Sequence, residues 1–456
     1  VTQRRNLIFA AAALAVFTSA VEGTIVATAM PSIVGELGGL PLFSWVFALY
    51  FLTQAVSIPI YGRLSDLYGR KPVFLAGTLI FLIGSLLCGF ATSMPALVAF
   101  RMLQGLGAGG VQPVATTIVG DLYSPAERAR MQGYLSAVWG VAGVIGPALG
   151  AFLVERVSWS AVFWINVPIS LACMVIMGVF LRERATVREH RIDFLGSVLF
   201  AGGIGTLIVG LVMSVSLNAW QLVALGTAAV VMLAALLAHE RRTPEPILPL
   251  GLYGRRIVAT GSAGVFLVGT VVMSCSAFLP QYLQGVLHGT PRLSGIVLGI
   301  MSVAWTVGSI AGARVMTWSS YRVAAASGGV LLVAGAVVLA ALDPAGGAVW
   351  PAWGAALLGL GFGAANSSFL IATQSSVGWE ERGAATGANI FSRQVGQAFG
   401  TALFGAVFNL NVFGRSHDIA LALHHIYVIG AFFAVAILAL ALTLPAGLRA
   451  APAQAA

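Results

Sequence analysis

The chain has 456 residues, of which 59% are hydrophobic and only 9% charged, and its mean hydropathy is +0.94. A soluble protein carries roughly 25% charged residues, so this chain cannot cover a water-facing surface and most of its exterior must face lipid. The formal charge of +9 does not indicate nucleic-acid binding, because the basic residues lie in short loops between apolar stretches and form no basic tail or face.

About 20 apolar residues cross a bilayer core. On that measure fourteen spans are predicted, near residues 7–33, 43–62, 73–92, 95–119, 131–153, 161–181, 192–214, 219–238, 257–282, 293–316, 323–342, 350–373, 384–410 and 425–445. The weakest pair is 192–214 with 219–238, which also reads as one hairpin of modest hydrophobicity. At the start, Arg4, Arg5, Leu7–Phe17 and Thr18-Ser19-Ala20 resemble a secretory signal, but the apolar run continues to about Val34 and is read as a span. Of 24 Lys and Arg, Arg101 and Arg393 fall deep within spans, Arg314 lies two residues from the end of its span, and only Arg156, Arg292 and Arg415 fall in loops assigned outside. That bias places both termini in the cytoplasm of a cell-membrane protein, as an even number of spans also requires. The longest inner connections, Arg182–Ile192 and His239–Arg256, separate six spans from two and two from six. The expected organisation is therefore an N-terminal six-helix half (1–185), a two-helix insert and linker (186–245), a C-terminal six-helix half (246–450) and a tail (451–456). Repeated halves are the usual plan of a transporter. Cys88, Cys173 and Cys275 all lie in apolar stretches, so no disulfide framework is expected.

Taken in chain order, span 1 carries Glu22, the one acid clearly inside a predicted span. A carboxyl there is costly and is a functional candidate by default; the alternative is a permanent structural pair with Arg101. Glu22 lies 15 residues beyond Leu7, about 22 Å along a helix, and Arg101 lies six residues in from Pro95, about 9 Å, so both fall in the outer half and can meet. Span 2 contributes Gln54. Between spans 2 and 3 runs Gly62-Arg63-Leu64-Ser65-Asp66-Leu67-Tyr68-Gly69-Arg70-Lys71. Its glycines suit a tight turn, Asp66 can accept hydrogen bonds, and Arg70 and Lys71 anchor the inner surface.

Span 4 carries Arg101-Met102-Leu103-Gln104-Gly105-Leu106-Gly107-Ala108-Gly109, and Arg101, Gln104, Ala108 and Gln112 share one helix face. Asp121 closes the same helix. Span 5 has Gly140, Gly143, Gly146, Pro147 and Gly150, a spacing that lets helix backbones approach closely and adds a bend. Span 13 repeats polar residues at four-residue steps, Asn389, Arg393, Gln397 and Thr401. Such stripes either line a solute cavity or bond helix to helix. Trp45, Phe47, Tyr50, Trp139 and Phe391 could meet a flat or cationic solute, or lipid. His288, His424 and His425 fall in outer loops. There is no zinc-like cluster, phosphate-cradling loop or nucleophile elbow in the sequence.

The 62–71 stretch resembles the loop signature G-x-L-(S/A)-D-x-x-G-R-(K/R) of the major facilitator superfamily, and span 4 is similar to its R-x-x-Q-G-x-G motif. The span 5 glycines, together with Glu22-Gly23-Thr24-Ile25-Val26-Ala27-Thr28-Ala29-Met30-Pro31 and Phe163-Trp164-Ile165-Asn166-Val167-Pro168, resemble its fourteen-helix drug:proton antiporter branch, with Glu22 where an Asp is usual. The counterpart of the Asp66 loop after span 10, Gly312–Arg322, lacks the acid.

The resemblance implies an all-α integral membrane fold of fourteen helices that exports small amphipathic or drug-like compounds against protons by alternating access. It implies proton coupling at Glu22 and Arg101, and a substrate cavity drawing on Gln54, Gln104, Gln112, Asn389, Arg393 and Gln397. It further implies a latch of Asp66, Arg70 and Asp121, with Gly62, Gly69 and Lys71 in the same motif. No cofactor is expected beyond the proton gradient. The expected partners are a small-molecule substrate, protons and membrane lipid, and the protein is expected to work as a monomer. A dedicated exporter of one metabolite, lipid or siderophore is the nearest alternative; a proton-coupled importer, a receptor or a membrane enzyme fits less well.

Overall fold

A computed structural model describes residues 2–123, 125–182, 193–243, 250–378, 381–415 and 418–445. Every regular element among them is helical, which is what a chain immersed in lipid requires, since helices satisfy all backbone polar groups within one segment. In order these are α1 (Thr2–Leu37), α2 (Phe43–Tyr68), α3 (Arg70–Gly89), α4 (Met94–Leu122), α5 (Pro125–Arg156), α6 (Ala161–Trp164), α7 (Asn166–Phe180), α8 (Phe194–Val212) and α9 (Ala219–Glu240). There follow α10 (Leu250–Tyr253), α11 (Arg256–Ser276), α12 (Leu279–Gln281), α13 (Pro291–Trp318), α14 (Tyr321–Ala340), α15 (Val349–Ser375), α16 (Arg382–Asn409) and α17 (Ile419–Leu442). Two π-helical turns, Tyr282–Val286 and Leu410–Arg415, extend α12 and α16.

The chain forms two compact units, Val1–Ile247 and Leu248–Ala456. In the first, α1 packs on α4, α5 and α7, α3 packs on α4 and α7, and α2 packs on α4 and α8. The expected insert, α8 with α9, belongs to this unit by its contacts. One end of the pair is pinned by Asp193, which caps α8 through the Gly196 amide (2.8 Å) and meets His239 Nε2 of α9 at 2.8 Å. In the second unit α15 lies against α13 and α14, and α11 against α16, α15 and α17. The expected boundaries near 185 and 245, and the tail 451–456, lie outside the described residues.

Among the described residues thirteen helices are long and apolar enough to cross a bilayer. The expected fourth span is the long helix missing from that set. It is α4, 29 residues in length, and its glycines, Arg101, Gln104 and Gln112 lower its mean hydropathy. The sixth span is broken after Trp164 into α6 and α7, with Asn166 starting the second piece.

One expectation about the 62–71 stretch needs correction. Gly62 and Asp66 are not in a loop, because α2 stays helical to Tyr68. Gly69 alone makes the turn, at φ 92°, a value that a residue with a side chain rarely adopts.

Close helix contact rests on missing side chains. A Cβ on Gly84 of α3 would sit 2.5 Å from the Gln104 amide nitrogen of α4, whereas one on Gly299 of α13 would meet nothing within 4 Å. Gly84→Ala is therefore expected to cost about 1–3 kcal/mol and Gly299→Ala to be neutral or slightly stabilising. Thermal unfolding of the two variants in detergent checks this, and equal melting temperatures would contradict it.

Candidate functional site

Four helices of the first unit converge on one carboxylate. Glu22 on α1 is 0% exposed, as is Arg101 on α4. Arg101 Nη1 forms an ion pair with Glu22 Oε1 and also donates to Gln104 Oε1 one turn further along α4 (2.6 Å). Arg101 Nε donates to the Val46 carbonyl of α2 (3.3 Å), and the guanidinium carbon lies 3.9 Å from the centre of the Tyr50 ring. A cation stacked on an aromatic face gains attraction where water is excluded. The second carboxylate oxygen, Glu22 Oε2, accepts from Asn166 Nδ2 of α7 at 2.7 Å.

Behind this pair runs a chain of neutral hydrogen bonds. Asn166 Nδ2 and Gln104 Nε2 each donate to Ser85 Oγ of α3 at 3.0 Å. Ser85 Oγ in turn donates to the Phe163 carbonyl of α6 at 2.9 Å. Cys88 Sγ lies 3.8 Å from Gln104 Oε1. Arg101 Nη2 and the Tyr50 hydroxyl are buried and make no hydrogen bond among the described residues.

The glycines predicted from sequence explain how the elements come so close. Gly146 of α5 faces Thr24 of α1, and a Cβ on Gly150 would lie 3.0 Å from the Ile25 carbonyl. Helix α5 thus packs directly beside the turn that carries Glu22. Pro147 is buried between these glycines, while Gly140 and Gly143, further from α1's acid, are partly exposed.

The other expected residues divide into three groups. Gln104, expected on a solute-lining stripe, is 0% exposed and committed to Arg101 and Ser85. Gln54 is buried on α2, and Gln112 is partly exposed on α4. On α16 of the second unit, Asn389 donates to Ser262 Oγ of α11 at 3.4 Å, and Arg393 and Gln397 are partly exposed. That unit has no Asp or Glu inside a described span. Just before α11 and α16 of the same unit, Arg255 and Glu381 form a two-bond ion pair (2.7 and 3.0 Å). Nearby, burial pushes the Tyr253 phenol up, opposed by its hydrogen bonds to Ser392 and Ser262. This keeps it a neutral hydroxyl.

Where α2, α3 and α4 end together in the first unit, Arg70 joins two acids, meeting Asp121 Oδ2 at 2.9 Å and Asp66 Oδ1 at 3.5 Å. All three are partly open to water. Lys71 Nζ donates to the Gly178 carbonyl (2.5 Å) and Arg4 Nε to the Phe180 carbonyl (2.6 Å), so two cations hold the C-terminal end of α7. Arg5 pairs with Glu127 at 2.9 Å and lies over the Tyr123 ring.

Sequence reasoning did not single out Asn166, Ser85 or the pairing of Arg4 and Lys71 with α7. The signal for Asn166 was available, since it is a polar residue within an apolar segment whose motif was already noted. Glu240 was also missed; α9 runs two residues beyond the expected span and buries it to 2%. His424 and His425 bond to the Ala340 carbonyl and to Asn411 near the surface. Among the described residues no group of three or more His, Cys, Asp or Glu could hold a metal ion.

This is a polytopic membrane protein, all helix, with an acid–base centre sealed inside its first bundle. Residues 12–401 match the profile of the Major Facilitator Superfamily. The Bacillus subtilis (strain 168) Multidrug transporter protein MdtP is 32% identical over 409 residues, covering 89% of this chain and 76% of that protein. Multidrug resistance protein 3 of the same organism is 34% identical over 403 residues, covering 88% and 78%. The crystal structure of an auto-inhibited POT family peptide transporter superposes with a TM-score of 0.71 at 14% identity, covering 98% of this chain and 99% of that one. The chain belongs to the major facilitator superfamily.

Removing one partner of a buried pair leaves an uncompensated charge, which costs roughly 3–5 kcal/mol. Arg101→Met is therefore expected to lower thermal stability strongly, and Glu22→Gln combined with it to recover part of the loss. A double variant as unstable as the sum of the single variants would show that the two residues do not interact.

Proposed function

We propose that this protein is a proton-coupled efflux transporter that exports small amphipathic or drug-like compounds in exchange for protons, by alternating access. The observation that carries this reading is the buried Glu22, an ionisable carboxyl at transmembrane depth whose oxygens are both engaged by hydrogen-bond donors on other helices. The likeness to a bacterial multidrug transporter and a multidrug resistance protein supports drug-like compounds as the cargo. In this reading α4 is the fourteenth span. Its inward face holds Arg101 and Gln104, and its exposed face carries Met102 and Leu106 toward lipid. The architecture is then six helices, two and six, with both termini on the cytoplasmic side of the cell membrane. The carrier works as a monomer and uses no cofactor other than the proton gradient.

The chemistry follows from what each residue can do. Ionised Glu22 is held by Arg101 and Asn166 in a place closed to water, so it cannot gain or lose a proton without a rearrangement of the surrounding helices. Protonation removes the attraction between Glu22 and Arg101 and weakens the contact of α1 with α4. Solute leaves while the carrier is open to the outside, where Glu22 takes up a proton; that proton is given up on the inner side as the next solute binds. One charge crossing 100 mV is worth about 2.3 kcal/mol, enough to bias such an equilibrium nearly fiftyfold. The inner latch of Asp66, Arg70 and Asp121 closes the cytoplasmic side in one of the two states, and Gln54, Gln112, Asn389, Arg393 and Gln397 contribute polar groups to solute passage.

Protein reconstituted in liposomes, with ethidium as the transported probe and a pH step across the bilayer, tests the reading. Uptake against a gradient is expected only when the pH step is present, and Glu22→Gln is expected to reduce it at least tenfold. Ethidium movement at the full rate without any pH difference, or unchanged coupling in Glu22→Gln, would overturn it.

A further inference from the structure

Asn166 occupies a position that neither its motif nor its helix explains. It is the first residue of α7, directly after the break that follows α6, and it is 2% exposed. A neutral amide at that depth must spend its donors and acceptor on specific partners. The network fixes which way it faces. Gln104 Oε1 accepts from Arg101, so the other end of that amide, Nε2, donates to Ser85 Oγ. The single proton of Ser85 is committed to the Phe163 carbonyl. A hydroxyl has one donor and two acceptor lone pairs, so Ser85 can only accept from Asn166, and Asn166 must present Nδ2 to it. The same Nδ2 reaches Glu22 Oε2 at 2.7 Å. Turning the amide over would set its oxygen against both a carboxylate and a serine oxygen that has no proton left to give.

Both oxygens of Glu22 thus face an N–H donor. Arg101 donates to one oxygen and Asn166 to the other. A proton arriving on Oε2 would face an N–H that cannot turn away without breaking the Ser85 bond. We infer that Asn166 is a positioning residue for proton exchange: locked by Ser85, it holds a donor on Glu22 Oε2 and thereby sets the pH at which this carboxyl takes up and releases its proton. Arg101 supplies the counter-charge, and Asn166 sets the threshold. This rests on the reading of Glu22 as the proton site.

The test titrates the purified protein in liposomes, with no substrate added, following the infrared carbonyl band of protonated Glu22 against pH. The band is identified as the component absent from Glu22→Gln. Hydrogen bonds to a charged group are worth about 1.5–3 kcal/mol, which corresponds to about one to two pH units. Asn166→Leu, of similar volume but without a donor, is expected to move the midpoint upward by that amount. Asn166→Asp places a second carboxyl against the first and is expected to move the midpoint upward as well, with one more proton retained per molecule. Ser85→Ala leaves the amide in place but unlocks it, and a smaller upward shift is expected. Should Asn166→Leu fail to fold, the other two variants carry the test. Midpoints equal to that of the unmodified protein in the variants that fold would overturn the role of Asn166. Persistence of the whole carbonyl band in Glu22→Gln would instead overturn the assignment of the proton site, whatever the Asn166 variants do. A purely structural asparagine would change melting temperature in these variants and leave the titration midpoint where it was.

Discussion

A carboxylate and a guanidinium facing each other in a region without water are the constraint around which the first bundle is arranged. Moving either charge alone out of water costs several kcal/mol even after relaxation, and their mutual attraction compensates only when the geometry is close and the remaining polar atoms are bonded. Close geometry here means that α1, α2, α3, α4 and α7 must all approach within hydrogen-bond reach. Gly84 permits this between α3 and α4, and Gly105 between α4 and α2, since a side chain at either position would strike the facing backbone. Packing of small residues is the main source of helix association in lipid, where apolar side chains gain little by leaving one another. The glycine-rich motifs and the buried charges are therefore two parts of one solution.

Much of this was legible in the sequence. Runs of apolar residues gave the helices, and counting residues from the helix ends placed Glu22 and Arg101 at matching depth before any contact was known. Less was legible where partners come from elsewhere in the fold. Gln104 shares a helix face with Arg101, but only the position of Ser85 on another helix decides that it serves the acid and not a solute. Asn166 lay inside a recognisable segment, yet its bond to Glu22 spans 144 positions of sequence. The turn at Gly69 was misplaced for a different reason. Several glycines in one motif suggest a loop, whereas one residue at positive φ is enough to reverse the chain, and the others remain in helix.

Magnitudes separate the two polar networks of the first unit. The pairs of Arg70 with Asp66 and Asp121 are 24%, 40% and 56% exposed in order. Water-exposed pairs are worth about 0–1 kcal/mol each. Contacts of that strength can be made and broken in every cycle of a carrier driven by a few kcal/mol. The Glu22–Arg101 pair cannot be broken that cheaply while its charges persist. A change in its protonation state is the one event that would release it at low cost.

The division of Glu22 between its two oxygens gives that event a direction. Oε1 belongs to α4 through Arg101, and Oε2 belongs to α7 through Asn166. The same two helices end in a second set of contacts, α4 at Asp121 beside Arg70, and α7 at the Gly178 and Phe180 carbonyls held by Lys71 and Arg4. A proton on either oxygen neutralises the whole carboxyl, so it removes the ion pair with α4 and also weakens the bond made to the oxygen that carries it. Helices are stiff along their axes, so in the proposed cycle a shift at the acid is carried toward the helix ends where these ion pairs and terminal-carbonyl bonds lie. Two rigid elements that share one acid and end in such contacts would connect the buried carboxyl to them without a relay of separate residues.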